Sequence, residues 1–168
     1  MEFLLWLERS APGVWLRESP SLLAFPTVLF LHTLGLALLV GVNAALDLWV
    51  LKYRVRVAPA TLTRLAQLMW LGFGINAVSG AWLLLAYPAK ALTNPVFYAK
   101  LALIAFAMVA FDRIRPHVVA VSPAVEAGVG PPARTLAVVS LGFWAAAILA
   151  GRLLAYTHSV LMAEEMLR

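Results

Sequence analysis

Four long apolar runs dominate the chain, and short segments rich in charge, proline or glycine separate them. A helix needs about 17–25 predominantly apolar residues to cross the hydrocarbon core of a bilayer. Each run approaches or exceeds that length, and none shows the strict alternation of a strand. The pattern therefore predicts four membrane-spanning helices, at about 21–51, 65–87, 95–111 and 135–157.

Helix start and stop signals set the bounds of these spans. Ser19 followed by Pro20 is typical of a helix start, with a serine N-cap and proline in the first turn. Pro88 should end the second helix, and Pro116 the third. The segment 117–134 is rich in proline and glycine and is therefore predicted to be a loop.

The first 18 residues differ from the rest of the chain. Apolar side chains such as Phe3, Leu7 and Trp15 alternate there with charged ones such as Glu8 and Arg17. That mixture is typical of an amphipathic helix lying in the membrane interface. We therefore expect an interfacial segment at 1–18 and a single transmembrane domain at 19–168.

Composition supports a membrane protein. Of the 168 residues, 63% are hydrophobic and 12% charged, and the mean hydropathy is +0.89. Soluble domains average about 45–50% apolar and about 25% charged residues. The net charge of +5 would suggest nucleic acid in a soluble protein. Here the basic residues flank apolar runs, which indicates topology signals and lipid headgroup contacts instead. No nucleic-acid partner is expected.

The basic residues also predict an orientation. In bacterial inner membranes, Lys and Arg accumulate in the cytoplasmic loops. The first and third loops carry seven basic residues and the opposite side five, which favours both termini on the outer side. The seven are Lys52, Arg54, Arg56, Arg64, Arg113, Arg115 and Arg134, and the five are Arg9, Arg17, Lys90, Lys100 and Arg168.

Polar residues inside the first span lie on one helical stripe. At 100° per residue, Gly35, Asn43 and Asp47 all fall within about 60° of His32. Polar groups in hydrocarbon must face protein, another polar group or water. The stripe is therefore expected to face the neighbouring helices.

The second span repeats this pattern with Asn76 and Ser79. One interpretation is a packing seam formed by Asn43, Asp47, Asn76 and Ser79. In this seam the two asparagines and the serine connect helices through modest hydrogen bonds, and Asp47, about one turn from Lys52, makes an ion pair or helix-end contact at the inner interface. Another is a pathway for protons or small ions through His32, Asn43, Asp47 and Asn76.

The histidines limit any haem hypothesis. Two haems held by histidine pairs need four axial ligands, but the chain has three histidines, and His117 lies in the predicted loop. A single b-type haem on His32 and His158 remains an alternative, with Arg152 and Tyr156 near a propionate. The two histidines differ in depth along their helices, which argues against this pairing. The main expectation is no cofactor.

Catalytic motifs are not found. There is no metalloprotease motif, nucleophile elbow or phosphate-binding loop, and no cysteine. The sequence therefore predicts no catalytic or metal site. The leading hypothesis is a non-enzymatic subunit of a larger membrane complex, whose partners are the bilayer and other membrane subunits or further copies of the chain.

Several motifs resemble a family of small four-span bacterial membrane proteins of unknown function. They are LHTLGLALLVGVNAALDL, GFGINAVSG (72–80), NPVFYAKLAL (94–103) and GRLLAY (151–156). The resemblance implies a four-helix bundle in the bacterial inner membrane and assigns no activity. Its motif elements here are His32, Gly35, Gly41, Asp47, Gly80, Lys100, Gly151 and Arg152. A looser similarity to CopD-like domains and small b-type cytochromes rests on the intramembrane histidine.

Overall fold

The structure, a computed structural model, describes residues 2–52, 58–119 and 131–166. Within these ranges it contains seven helices and no strand. The helices are α1 (Glu2–Glu8), α2 (Ala11–Glu18), α3 (Phe25–Lys52), α4 (Pro59–Ala86), α5 (Pro88–Leu92), α6 (Pro95–Val119) and α7 (Pro131–Met166). The all-α prediction is confirmed.

Four of the helices, α3, α4, α6 and α7, are long and apolar enough to cross a membrane. The protein is therefore an integral membrane protein with four candidate spans. The first begins at Phe25 rather than near residue 21. Ser19 and Ser21 instead support a turn, in which their hydroxyls accept hydrogen bonds from the backbone N–H groups of Ser21 and Leu23.

Proline marks the helix ends only in part. Pro88 separates α4 from α5, as predicted. Pro116, in contrast, lies inside the last turn of α6, where its missing N–H costs only one hydrogen bond near the helix end. Pro131 begins α7, so the predicted loop 117–134 is helical at both ends. Proline is well tolerated in a first turn because those N–H groups have no partner in the helix.

The four spans form two antiparallel hairpins, α3 with α4 and α6 with α7. The hairpins meet along α3 and α7. Around the bundle the order is α4, α3, α7, α6, and α4 does not pack closely against α6. The bundle is therefore open on one side, along the gap between α4 and α6.

Glycine allows α3 and α4 to approach closely. A Cβ atom added to Gly35 would lie 2.6 Å from the backbone nitrogen of Asn76, and one added to Gly72 would lie 2.7 Å from that of Leu39. No side chain larger than hydrogen fits at either position with the helices this close. Small residues at such interfaces are the usual means of packing helices in membranes.

The predicted interfacial segment consists of two short helices rather than one. α2 packs on the end of α4, where Leu16 is fully buried. Arg17 Nη1 donates a hydrogen bond of 2.7 Å to the carbonyl oxygen of Ala86 in the last turn of α4. Phe3 and Trp6 remain exposed on α1. The segment thus has a face docked on the bundle and an aromatic face turned outward.

A cavity between α4 and α6

A cavity of about 570 Å³ lies in the gap between α4 and α6, at the end of the bundle that carries α2 and α5. All four spans contribute to its wall, which is mostly apolar. Leu101, on its α6 side, is 47% exposed, so the cavity opens to the outside of the bundle. Because α4 and α6 are membrane spans, this opening faces lipid.

His32 lies on the α3 side of the cavity and is half-buried. Its Nδ1 is 3.1 Å from the carbonyl oxygen of Asn76 and 3.2 Å from Ser79 Oγ. Asn76 Nδ2 in turn donates a 2.8 Å hydrogen bond to the carbonyl oxygen of His32. The contact with the carbonyl oxygen, which only accepts, requires a proton on Nδ1, whereas Asn76 Nδ2, 3.4 Å from the same atom, could donate to it only in the other tautomer.

Gly80 makes room for this imidazole. A Cβ atom at Gly80 would lie 3.2 Å from His32 Cε1, which is tighter than most side-chain contacts. Asn76, Ser79 and Gly80 therefore all act on the same ring. Asn76 and Ser79 lie within hydrogen-bond distance of Nδ1, and Gly80 leaves the space that the ring occupies.

Lys100 enters the cavity from α6. Its side chain runs past Gly151 of α7, where an added Cβ would lie 3.6–3.7 Å from Cε, Cδ and Nζ. Lys100 makes no ion pair or hydrogen bond with any residue that the structure describes. An ammonium group in a membrane span without a partner is costly.

Sequence reasoning counted Lys100 with the basic residues of the outer side and did not predict that its side chain lines a cavity. The residue lies inside span α6, and its side chain lines the cavity. The signal was available, because helix start Asn94-Pro95 puts residue 100 more than one turn inside the helix. Lys90, counted with it, also lines the cavity, from α5. No aspartate or glutamate is among the lining residues.

The residues predicted for a haem are not all brought together. Arg152 is exposed and stacks on the Tyr156 ring, with Cζ 5.5 Å from the ring centroid. Neither residue is among those that line the cavity. His158 belongs to α7, but its side chain lies outside the described part of the structure. The haem site thus stays a prediction.

The predicted polar seam divides into two groups. Asn76 and Ser79 lie with His32, whereas Asn43 and Asp47 are buried further along α3. Leu39 and Met69, both fully buried, lie in the apolar core between the two groups. A proton or ion pathway through all of these residues would have to cross this apolar layer.

Among the described residues, no group of three or more His, Cys, Asp or Glu side chains could hold a metal ion. No protein-family model, curated protein or solved structure matches the chain.

Proposed function

We propose that this protein is a non-enzymatic membrane protein that binds an anionic, single-chain amphiphile in the cavity between α4 and α6. The observation that carries the proposal is Lys100, an intramembrane ammonium group with no ion-pair partner among the described residues, in a largely apolar cavity. A bound anion would supply the missing counter-charge. The apolar wall would hold the chain.

Size and position support a ligand of this kind. Sites for small molecules occupy roughly 300–1,000 Å³ and combine apolar walls with a few polar groups, and the cavity holds about 570 Å³. Its polar lining residues include His32, Lys90 and Lys100, which are cationic or can donate hydrogen bonds. The opening between α4 and α6 would admit the ligand from the bilayer.

Binding of a fatty acid and its methyl ester tests the proposal. The probe is doxyl-labelled stearic acid, and its immobilised fraction on the detergent-solubilised protein is measured by electron paramagnetic resonance. The wild type should bind the acid more tightly than the ester by about tenfold or more, because hydrogen bonds to charged groups contribute about 1.5–3 kcal/mol. Lys100→Met should abolish this preference, and Lys100→Arg should retain most of it.

Arg152→Gln is the matched control, since it removes a cation from the same end of the bundle outside the cavity. It should leave the preference unchanged. Equal binding of acid and ester by the wild type would refute the proposal, as would a Lys100→Met variant that keeps the preference.

The biological setting forms part of the same proposal. We place the protein in a bacterial inner membrane, in the family that its motifs resemble, with both termini on the outer side and as a subunit of a larger complex. The sequence count of seven basic residues for the inner loops against five for the outer side supports this orientation. The shortage of mass outside the membrane supports a role within an assembly.

A single haem on His32 is the second candidate, and one observation favours it. Histidines that ligate metals usually donate their other ring N–H to a carbonyl or carboxylate, and His32 Nδ1 faces the Asn76 carbonyl oxygen. Its Nε2 would then be the ligand. The absorption spectrum of protein expressed with added haem decides this alternative, because a bound haem gives a Soret band that His32→Ala should remove.

A further inference from the structure

A second polar group lies between α3 and α7, away from the cavity. It consists of Asn43 and Asp47 on α3 and Ser140 and Trp144 on α7, each at most 1% exposed. Each has one polar atom without a hydrogen-bond partner within the described structure. The atoms are Asn43 Oδ1, Asp47 Oδ2, Ser140 Oγ and Trp144 Nε1.

The register of the two helices brings these side chains together. Asp47 and Ser140 face each other across α3 and α7, close enough for their side chains to interact but without hydrogen-bond geometry between Oδ2 and Oγ. Arg134 at the start of α7 donates a hydrogen bond to the carbonyl oxygen of Leu51. Residues further along α7 therefore meet residues earlier in α3, as in any antiparallel pair. One turn beyond the first pair, Asn43 lies at the level of Trp144.

The unpartnered atoms are complementary to water. The Asn43 amide already donates to the carbonyl oxygen of Leu39 at 2.7 Å, which leaves its Oδ1 as an acceptor. Asp47 Oδ2 is a second acceptor. The Ser140 hydroxyl and the Trp144 indole N–H are donors. Water accepts two hydrogen bonds and donates two, whereas a metal ion would use the oxygen atoms and leave the indole N–H unpaired.

Leaving these atoms without partners would be costly. A buried donor or acceptor without a partner costs about 1–3 kcal/mol, and four occur here within one turn of each other. Buried waters in proteins typically make about three hydrogen bonds to polar groups of this kind. We propose that ordered water occupies this site and joins Asn43, Asp47, Ser140 and Trp144 between α3 and α7.

The proposal is independent of the amphiphile site. The water site shares no residue with the cavity lining, and its test uses no ligand. Failure of one proposal therefore leaves the other untouched.

Water-edited solid-state NMR on the protein in bilayers tests the water site. With ¹⁵N-labelled indole, magnetisation that starts on water should reach the Trp144 Nε1–H, whose signal is assigned by its loss in Trp144→Phe. Trp70 is the internal control, because it lies near the middle of α4 and is 48% exposed, toward lipid. Its indole should receive little magnetisation from water.

A wild-type spectrum in which Trp144 receives no more water magnetisation than Trp70 would overturn the proposal, because the four groups would then bond to one another directly. Asp47→Leu provides the second measurement. It removes an acceptor and fills the space beside Ser140, so the transfer to Trp144 should fall several-fold. An undiminished transfer in that variant would place the water elsewhere and would also overturn the proposal.

Discussion

Replacing Gly35 by alanine tests how closely α3 and α4 are packed. The added Cβ would lie 2.6 Å from the backbone nitrogen of Asn76, 0.8 Å short of the 3.4 Å at which ordinary contact begins. It would also lie 2.9 Å from the carbonyl oxygen of Gly72. Both obstacles are backbone atoms, which cannot rotate away. The two helices must therefore separate by most of this shortfall.

The expected cost follows from this overlap. Overpacking a well-packed interior typically costs 1–3 kcal/mol, and the higher helix propensity of alanine offsets at most about 1 kcal/mol. Separation of the helices would also stretch the 2.8 Å hydrogen bond from Asn76 Nδ2 to the carbonyl oxygen of His32. Gly35→Ala should therefore be destabilised by about 1–3 kcal/mol, or roughly 2–12 °C in Tm for a chain of this size.

Gly41→Ala is the matched control, because it lies in the same helix and nothing comes within 4 Å of its added Cβ. Its Tm should equal or exceed that of the wild type. The assay is thermal unfolding in detergent, followed by intrinsic tryptophan fluorescence at one scan rate. A Gly35→Ala protein as stable as Gly41→Ala would refute the close approach of α3 and α4.

Two further predictions concern single hydrogen bonds. Asn94 Oδ1 accepts from the N–H of Val96 at 2.9 Å, and Asn94 Nδ2 donates to Thr157 Oγ1 at 2.8 Å. Asn94→Ala should therefore lower stability by about 1–2 kcal/mol in the same melting assay, and an unchanged Tm would contradict both contacts. Arg17→Gln removes the bond to Ala86. It should speed hydrogen exchange in α2 and leave α6 unaffected, and equal exchange rates in α2 would argue against the docking.

Much of the fold could be predicted from the sequence because each span is a long, predominantly apolar run. Length and hydropathy are sufficient to identify such runs as helices, and Pro88 correctly marked the end of α4. The prediction that residues 131–134 belong to a loop was wrong, because proline breaks the interior of a helix but is well suited to its first turn. Helical periodicity also placed Asn43 and Asp47 on a stripe that is buried in the bundle.

The candidate sites depend on pairings between helices that periodicity does not encode. The cavity that His32 and Lys100 share exists because α4 and α6 stay apart, and this follows from which hairpins meet. The proximity of Asp47 to Ser140 likewise depends on the register of α3 against α7. The sequence shows which face of each helix is polar or apolar, but it does not show which neighbouring helix packs against that face.

The arrangement of two hairpins joined along α3 and α7 has a consequence for biogenesis. Each hairpin is contiguous in sequence and forms its own closest packing, so each can assemble as soon as its second helix has entered the bilayer. Docking of the hairpins must wait for α7, because it is synthesised after the other three spans. Until that moment the polar groups of α3 have no α7 partner, and we expect a chain truncated before α7 to be recognised and degraded by membrane quality control.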